Sequence, residues 1–357
     1  MIEISLCMIV KNEEEVLGDC LESVKGIADE INILDTGSTD RTKEVAARFT
    51  DRIYDFEWVD HFAKARNAAF AKATKPYILW LDADDLLLEK DRVKLLALKK
   101  QLAPEVDAVS MFYHTMFDEN GNVSFEYRRN RLVKRENGFR WHGAVHEYLA
   151  VGGHIVESDI AITHQKNKKT NQLPKDRNLK IYERMLEKNE EMTPRDLYYF
   201  ANELKDHQQA ERSNQFYEKF LQTKNGWVED KIRACLCMSD NYKQQGDKEA
   251  ALHAVLRSFS YEIPRPQHSC EVGDYFIERE QFDIAAFWYR HALSYEGKEL
   301  PGFNMLAFSS WYPALQLVVC YWRLNDLKMA KKYHKISKKY QPTHPSVLHN
   351  ESFLKGN

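Results

Sequence analysis

The sequence lacks most of the features that would assign it quickly to a functional class. No apolar run approaches the roughly 18 residues that a membrane-spanning helix needs. Hydrophobic residues at 43% beside charged residues at 29% are the balance of a soluble chain rather than a spanning one. The N-terminus, MIEISLCMIVKNEE, has no basic leader and meets its first acid at Glu3, so it does not read as a secretory signal and the cytoplasm is the expected location. The six cysteines, Cys7, Cys20, Cys235, Cys237, Cys270 and Cys320, form no CxxC pair and no zinc spacing, which leaves them as small reduced hydrophobes. A basic excess is also missing: the formal charge is −3, against the positive surface that nucleic-acid binding requires. Local runs such as Lys331-Lys332 read as solvated helix faces. No glycine-rich phosphate loop of the G-x-G-x-x-G or G-x-x-x-x-G-K-[ST] kind occurs, so any phosphate must be held by metal and basic side chains.

The chain's length favours two or three domains over one. Its first hundred residues alternate strand and helix signals. IEISLCMIV is a β-branched-rich run, EEEVLGDCLESVKGI spaces apolar residues as a helix does, and INIL is a second buried strand. This β-α-β order implies parallel strands covered by helices on both faces. A helix is expected from Thr39, then the short strand DRIYDFE, the alanine-rich helix HFAKARNAAFAKATK stopped by Pro76, and the strand YILWLDADD. From Val106 to about Thr163, VDAVSMFYHTM, VSFEYRRNRLV and GHIVESDIAITH, separated by ENGN, ENG and GG turns, are expected to complete the sheet and wall a pocket.

The polar segment QKNKKTNQLPKD is the expected linker. The domains are accordingly 1–165, a linker 166–176, and 177–357. In the last of these a polar turn followed by alanine recurs as Asp206 to Ala210, Gly246 to Ala250, Gln281 to Ala285 and Asp326 to Ala330. Aromatic residues Tyr199, Tyr242, Tyr275 and Tyr321 precede the turns. The pattern resembles tetratricopeptide repeats, with a plain helical bundle as the alternative. Tyr199, Tyr242, Phe287, Trp288, Trp311 and Tyr312 are divided in expectation between hairpin cores and a groove or dimer interface.

Sheets of this type bind ligands at the carboxyl ends of their strands, where both acidic clusters fall. Asp35, ending a strand in ILDTGSTDRT, suits a nucleobase imide or a ribose hydroxyl, with Gly37 making the turn and Ser38 or Thr39 capping the next helix. The alternative is that Asp35 merely joins that cap. Asp82 and Asp84, two residues apart at another strand end, form a hard oxygen site for Mg²⁺ or Mn²⁺. RWHGAVHEYL concentrates Trp141, His142, His146 and Glu147. Glu147 is the candidate general base for an attacking acceptor, with His146 second. An ion pair with a neighbouring arginine is the alternative role for Glu147.

The strand followed by VKNEE, the DTGSTDRT segment, the FAKARNAAFAKA helix and LDADD occur here in the order and spacing of glycosyltransferase family 2, which the chain resembles over residues 1 to about 95. The resemblance implies a GT-A fold, a Rossmann-like α/β sheet, followed by the all-α repeats. It places Val10, Asn12, Asp35, Arg66 and Asp82 around the donor nucleotide and diphosphate, Asp84 on the metal, and His164 as a further metal ligand, with a structural histidine as the alternative. Where relatives carry a Glu-Asp pair, this chain has His146-Glu147. Without Gln-x-x-Arg-Trp or membrane helices, non-processive transfer is expected. The implied enzyme is an inverting, Mn²⁺- or Mg²⁺-dependent hexosyltransferase using a UDP-sugar. The domain pairing is similar to that of bacteriocin peptide S- and O-glycosyltransferases, which favours a peptide or protein acceptor and allows a homodimer through the repeats. The alternatives are a saccharide acceptor in surface polysaccharide or lipopolysaccharide, and a non-catalytic nucleotide-sugar-binding scaffold. A nucleotidyltransferase would need glycines that VKNEEEV lacks.

Overall fold

A computed structural model of the protein describes residues 1–117, 123–165, 176–298 and 305–355. They fall into two compact units, Met1–Glu190 and Glu191–Asn357. The expected ENGN turn and residues 166–175 of the expected linker lie outside the described residues.

The first unit opens with β1 (Ile4–Val10), α1 (Leu17–Ser23), β2 (Glu30–Asp35), α2 (Thr42–Ala46), β3 (Ile53–Asp55), α3 (Phe62–Phe70) and β4 (Tyr77–Trp80). It continues through β5 (Asp85–Leu86), α4 (Glu89–Gln101), β6 (Ala108–Phe117), β7 (Val123–Lys134), β8 (Arg140–His142), β9 (Tyr148–Ala150), β10 (Ile155–His164) and α5 (Arg177–Glu187). Eight strands form one sheet in the order β3-β2-β1-β4-β7-β6-β10-β5, and β8 and β9 pair separately. Strands β1 to β4 are mutually parallel, while β7 runs antiparallel to both β4 and β6.

Alternation along β1 explains the two-sided core. Ile4, Leu6, Met8 and Val10 face one layer with Leu17, Leu21 and Leu95, from α1 and α4. Cys7 faces the other layer with Ala63, Ala65, Ala69 and Phe70 of α3. The alanines that make FAKARNAAFAKA look helical also let α3 lie close to the sheet. The later strands complete the sheet as their patterning implies. Helix α5 belongs to this unit: the Arg177 guanidinium lies 4.9 Å from the Phe62 ring, and Arg184 pairs with Asp60.

The second unit is built of α6 (Pro194–Asp206), α7 (Ala210–Leu221), α8 (Val228–Gln244), α9 (Lys248–Arg257), α10 (Pro266–Ile277), α11 (Phe282–Leu293), α12 (Trp311–Arg323), α13 (Leu327–Tyr340) and α14 (Pro345–Lys355). The hairpins are punctuated by left-handed residues Gln208, Gly246, Glu280 and Asn325. Each precedes, at the same interval, a buried small residue: Ser213, Ala251, Ala285 and Ala330. The repeat read from sequence is therefore displaced in its first two copies, because Ala210 and Ala250 stand nearer the turn, and Ser213 fills the close-approach position without being alanine. Of the four aromatics before the turns only Tyr321 is fully buried; the hairpin cores are filled instead by Phe200, Tyr217, Phe220 and Tyr289. Phe287 is exposed, Trp288 stacks on Phe259, and Tyr312 donates to Asp274 at 2.8 Å. All six cysteines are buried and unpaired. No helix among the described residues is long and apolar enough to cross a membrane.

Candidate active site

The carboxyl ends of β1 and β2 are stitched together by the polar residues that follow them. Val10 and Asp35 are register partners, and the Val10 carbonyl accepts from both Thr36 N–H, at 2.9 Å, and Thr36 Oγ1, at 3.0 Å. Asp35 is buried. Its Oδ2 accepts from the backbone N–H groups of Gly37 (3.1 Å) and Ser38 (2.9 Å), a turn that Gly37 makes possible with φ of 100°. Its Oδ1 is buried without a hydrogen-bond partner among the described residues. Half of the carboxylate thus serves the turn and half is unspent.

Ser38 and Thr39 do not cap the next helix. Asn12, itself left-handed at φ 57°, donates its N–H to Ser38 Oγ at 3.0 Å and accepts from Thr39 N–H at 2.7 Å. The helix starts later than expected, at Thr42, because Asp40 Oδ1 binds Thr42 N–H and hydroxyl and holds the chain in a turn for those extra residues.

At the end of β4, Arg66 of α3 is the hub. Its Nη2 donates to Asp82 Oδ1 and its Nε to Glu147 Oε1, both at 2.7 Å, while its guanidinium stands against the rings of Trp80 (5.1 Å) and Trp141 (4.7 Å). Burial works against charge on Asp82, but Arg66, with Arg131 and Arg129 behind it, holds this carboxyl well below the usual range. The charge of Arg66 is therefore balanced by two protein carboxylates. Glu147 forms the ion pair that was its alternative reading, with Oε2 accepting no hydrogen bond from the described residues.

The loop bearing Glu147 is fixed from α3. Asn67 clamps Trp141 in both directions, Nδ2 to its carbonyl and Oδ1 from its N–H, each at 2.9 Å. The first N–H groups of α3, from Phe62 and Ala63, donate to the carbonyls of Ala144 (2.8 Å) and Gly143 (3.3 Å), using donors that a helix start leaves unpaired. Gly143 has φ of 98° and would place a Cβ 3.2 Å from the Val145 carbonyl, so the loop needs glycine there. His146 is left-handed too, with φ of 50°.

Asp84, Asp85 and His164 each offer a ligand atom within 4.8 Å of the others. His164 Nδ1 lies 3.6 Å from Asp84 Oδ2 and 3.3 Å from the Tyr113 hydroxyl; the neighbouring Asp84 carboxylate raises the histidine's pKa despite partial burial. The antiparallel pairing of β5 with β10 brings His164 opposite Asp85. This oxygen- and imidazole-bearing set suits Mn²⁺ or Mg²⁺ with positions left for other ligands. Asp82, expected to share the metal site with Asp84, lies outside this set and has its Oδ1 on Arg66.

Sequence reading missed the partners inside the sheet. Arg131 and Asp85 form an ion pair at 2.8 Å with no solvent exposure at either side chain, and Asp85 Oδ2 also accepts Asp82 N–H at 2.9 Å, which locks the LDADD turn. Burial pushes the Asp85 carboxyl up to about 6 even though Arg131 pulls it down. The β6–β7 register shifts between Val109 and Ser110, making Arg131 the extra residue of a bulge, a feature that re-aims side chains. The available signal was RRNR inside an otherwise apolar strand.

Residues 5–151 match the family model for Glycosyl transferase family 2. Among curated proteins the chain is similar to a TPR repeat-containing protein of Synechococcus elongatus, at 37% identity over 42% of this chain and 36% of that one. It is also similar to the SPbeta prophage-derived glycosyltransferase SunS of Bacillus subtilis, at 29% identity over 55% of this chain and 48% of the relative. The chain thus spans about half or less of the curated relatives it matches. A solved glucosyl-3-phosphoglycerate synthase from Mycobacterium tuberculosis aligns at 16% identity and TM-score 0.36, over 52% of this chain and 78% of the other. The α/β part of the chain, over residues 5–151, thus matches glycosyltransferase family 2, and it is followed by helical hairpins that resemble tetratricopeptide repeats.

Proposed function

We propose that the protein is an inverting, metal-dependent, non-processive glycosyltransferase that moves a sugar from a UDP-sugar to a polypeptide acceptor. The observation that carries this reading is the convergence at the strand ends: Arg66 joins Asp82 to Glu147, beside the Asp84–His164 set. The unspent Oδ1 of Asp35 supports nucleotide binding, since a buried carboxylate oxygen favours a ligand N–H or O–H. Asp84 and His164 would hold the divalent ion, which supplies positive charge to the departing diphosphate.

Arg66 keeps Glu147 oriented by one oxygen, leaving Oε2 to take the proton of the acceptor nucleophile as it attacks the anomeric carbon. A single displacement from the opposite face inverts that carbon. His146, immediately before Glu147, is the second candidate for the proton. The repeats supply the concave surfaces on which an extended polypeptide docks, with the first unit, Met1–Glu190, as the transfer domain and the second, Glu191–Asn357, as the repeat domain. A screen of nucleotide sugars for Mn²⁺-dependent hydrolysis by the full chain is the test. Turnover of at least one UDP-sugar is expected, and no turnover or binding of any nucleotide sugar would refute the reading.

A further inference from the structure

Arg129 sits on β7 beside the same crevice, but its surroundings differ from those of its neighbours. Its guanidinium lies 5.5 Å from the Trp80 ring, 5.3 Å from Tyr113 and 5.4 Å from Tyr127. Arg66 and Arg131 share the Trp80 ring, at 5.1 and 4.0 Å, yet each also grips carboxylates. Among the described residues Arg129 donates no hydrogen bond and meets no carboxylate.

Aromatic faces favour a cation without occupying its N–H groups. Arg129 therefore keeps its charge in a half-buried site with an unused fork of donors. Such a group is costly to enclose unless something supplies acceptors, and the described residues supply none. It lies close enough to Asp82 for the two charges to favour each other, which puts it at the donor end of the crevice. Arg66, which the family resemblance places near the donor nucleotide or its diphosphate, already has its charge balanced by Asp82 and Glu147.

We propose that Arg129 is the arginine that binds the diphosphate of the nucleotide-sugar donor, in place of Arg66; this rests on the donor reading above. A planar guanidinium matches two phosphoryl oxygens at once. As the bond from the anomeric carbon to the diphosphate oxygen breaks, its electron pair stays on the diphosphate, and Arg129 faces that growing charge. The acceptor forms the new bond and its proton goes to Glu147.

The test is calorimetry on the full chain with UDP and with uridine, each in Mn²⁺, for the parent, Arg129→Gln and Arg129→Lys. UDP affinity should fall about 10- to 100-fold in Arg129→Gln, the scale of a lost charge-assisted contact, with uridine affinity unchanged. Arg129→Lys, which keeps the charge but not the fork, should recover only part of the loss and serves as the readout if the glutamine variant fails to fold. Unchanged UDP affinity in either folded variant, or an equal loss for uridine, would overturn the assignment. A parent chain that binds neither compound would overturn the donor reading and the assignment with it.

Discussion

Arg131 and Asp85 meet with no solvent exposure inside the sheet, whereas the helical unit buries polar groups mainly as neutral pairs: Tyr217 donates to Asn202 at 2.5 Å and Asn241 to Ser213 at 3.0 Å. A buried ion pair adds little net stability, because desolvation offsets the attraction, while neutral hydrogen bonds satisfy their groups at a much smaller desolvation cost. The sheet accepts the more expensive arrangement where several strand ends must hold fixed charge in one crevice, which is what a transfer site needs. Among the described residues the ion pairs of the repeats, such as Arg265 with Glu229, keep some solvent exposure, and the buried polar groups specify how hairpins pack. The difference separates a unit shaped by chemistry from one shaped by stacking.

Substitutions on the two sides should accordingly move different observables. The largest effect expected is on turnover. Glu147→Gln preserves the side chain's shape and its contact with Arg66 but removes the proton acceptor, so transfer should fall by roughly 10² to 10⁴ while UDP affinity and melting temperature stay close to the parent's. Steady-state kinetics alongside calorimetry would show it. Wild-type turnover would move the role to His146.

A smaller effect, confined to stability, is expected in the repeats. His268 in α10 is 3% exposed, and burial holds its pKa down to about 4. Above the ordinary histidine range both folded and unfolded chains carry it neutral. Below about 6.5 the unfolded chain takes a proton that the folded one refuses until about 4. Its contribution to stability therefore falls as pH drops through that window, by about 3 kcal/mol at most on that shift. His268→Leu should lose this slope relative to the parent in denaturant titrations at pH 7 and pH 4.5, with UDP binding at pH 7 unaltered. Parallel pH profiles would contradict it.

Much of the sheet was legible because a strand buried on both faces is a mainly apolar run, as in β1 and β4, and because Gly37 marks a backbone that only a turn explains. The acids at the strand ends followed from that placement. The start of α2 was not legible, since Asp40 and Thr42 compete with Ser38 and Thr39 for the same N–H groups and only tertiary contacts from Asn12 and Glu13 decide. Nor was the division of labour among the arginines: Arg66, Arg129 and Arg131 differ in their tertiary neighbours, which the local sequence does not record. In the repeats, the left-handed turn residues set the register, and a serine at the close-approach position hid the first copy.

The central claim is that the strand-end carboxylates bind a nucleotide through a divalent ion, and the most direct measurement is UDP affinity with and without Mn²⁺ in the full chain and in Asp84→Ala. UDP should bind the parent at least about tenfold more tightly with Mn²⁺, on the usual scale for disturbing a metal site. That gain should vanish in Asp84→Ala without loss of melting temperature. Equal affinity with and without Mn²⁺ in the parent, or a Mn²⁺ gain that survives in Asp84→Ala, would contradict the assignment.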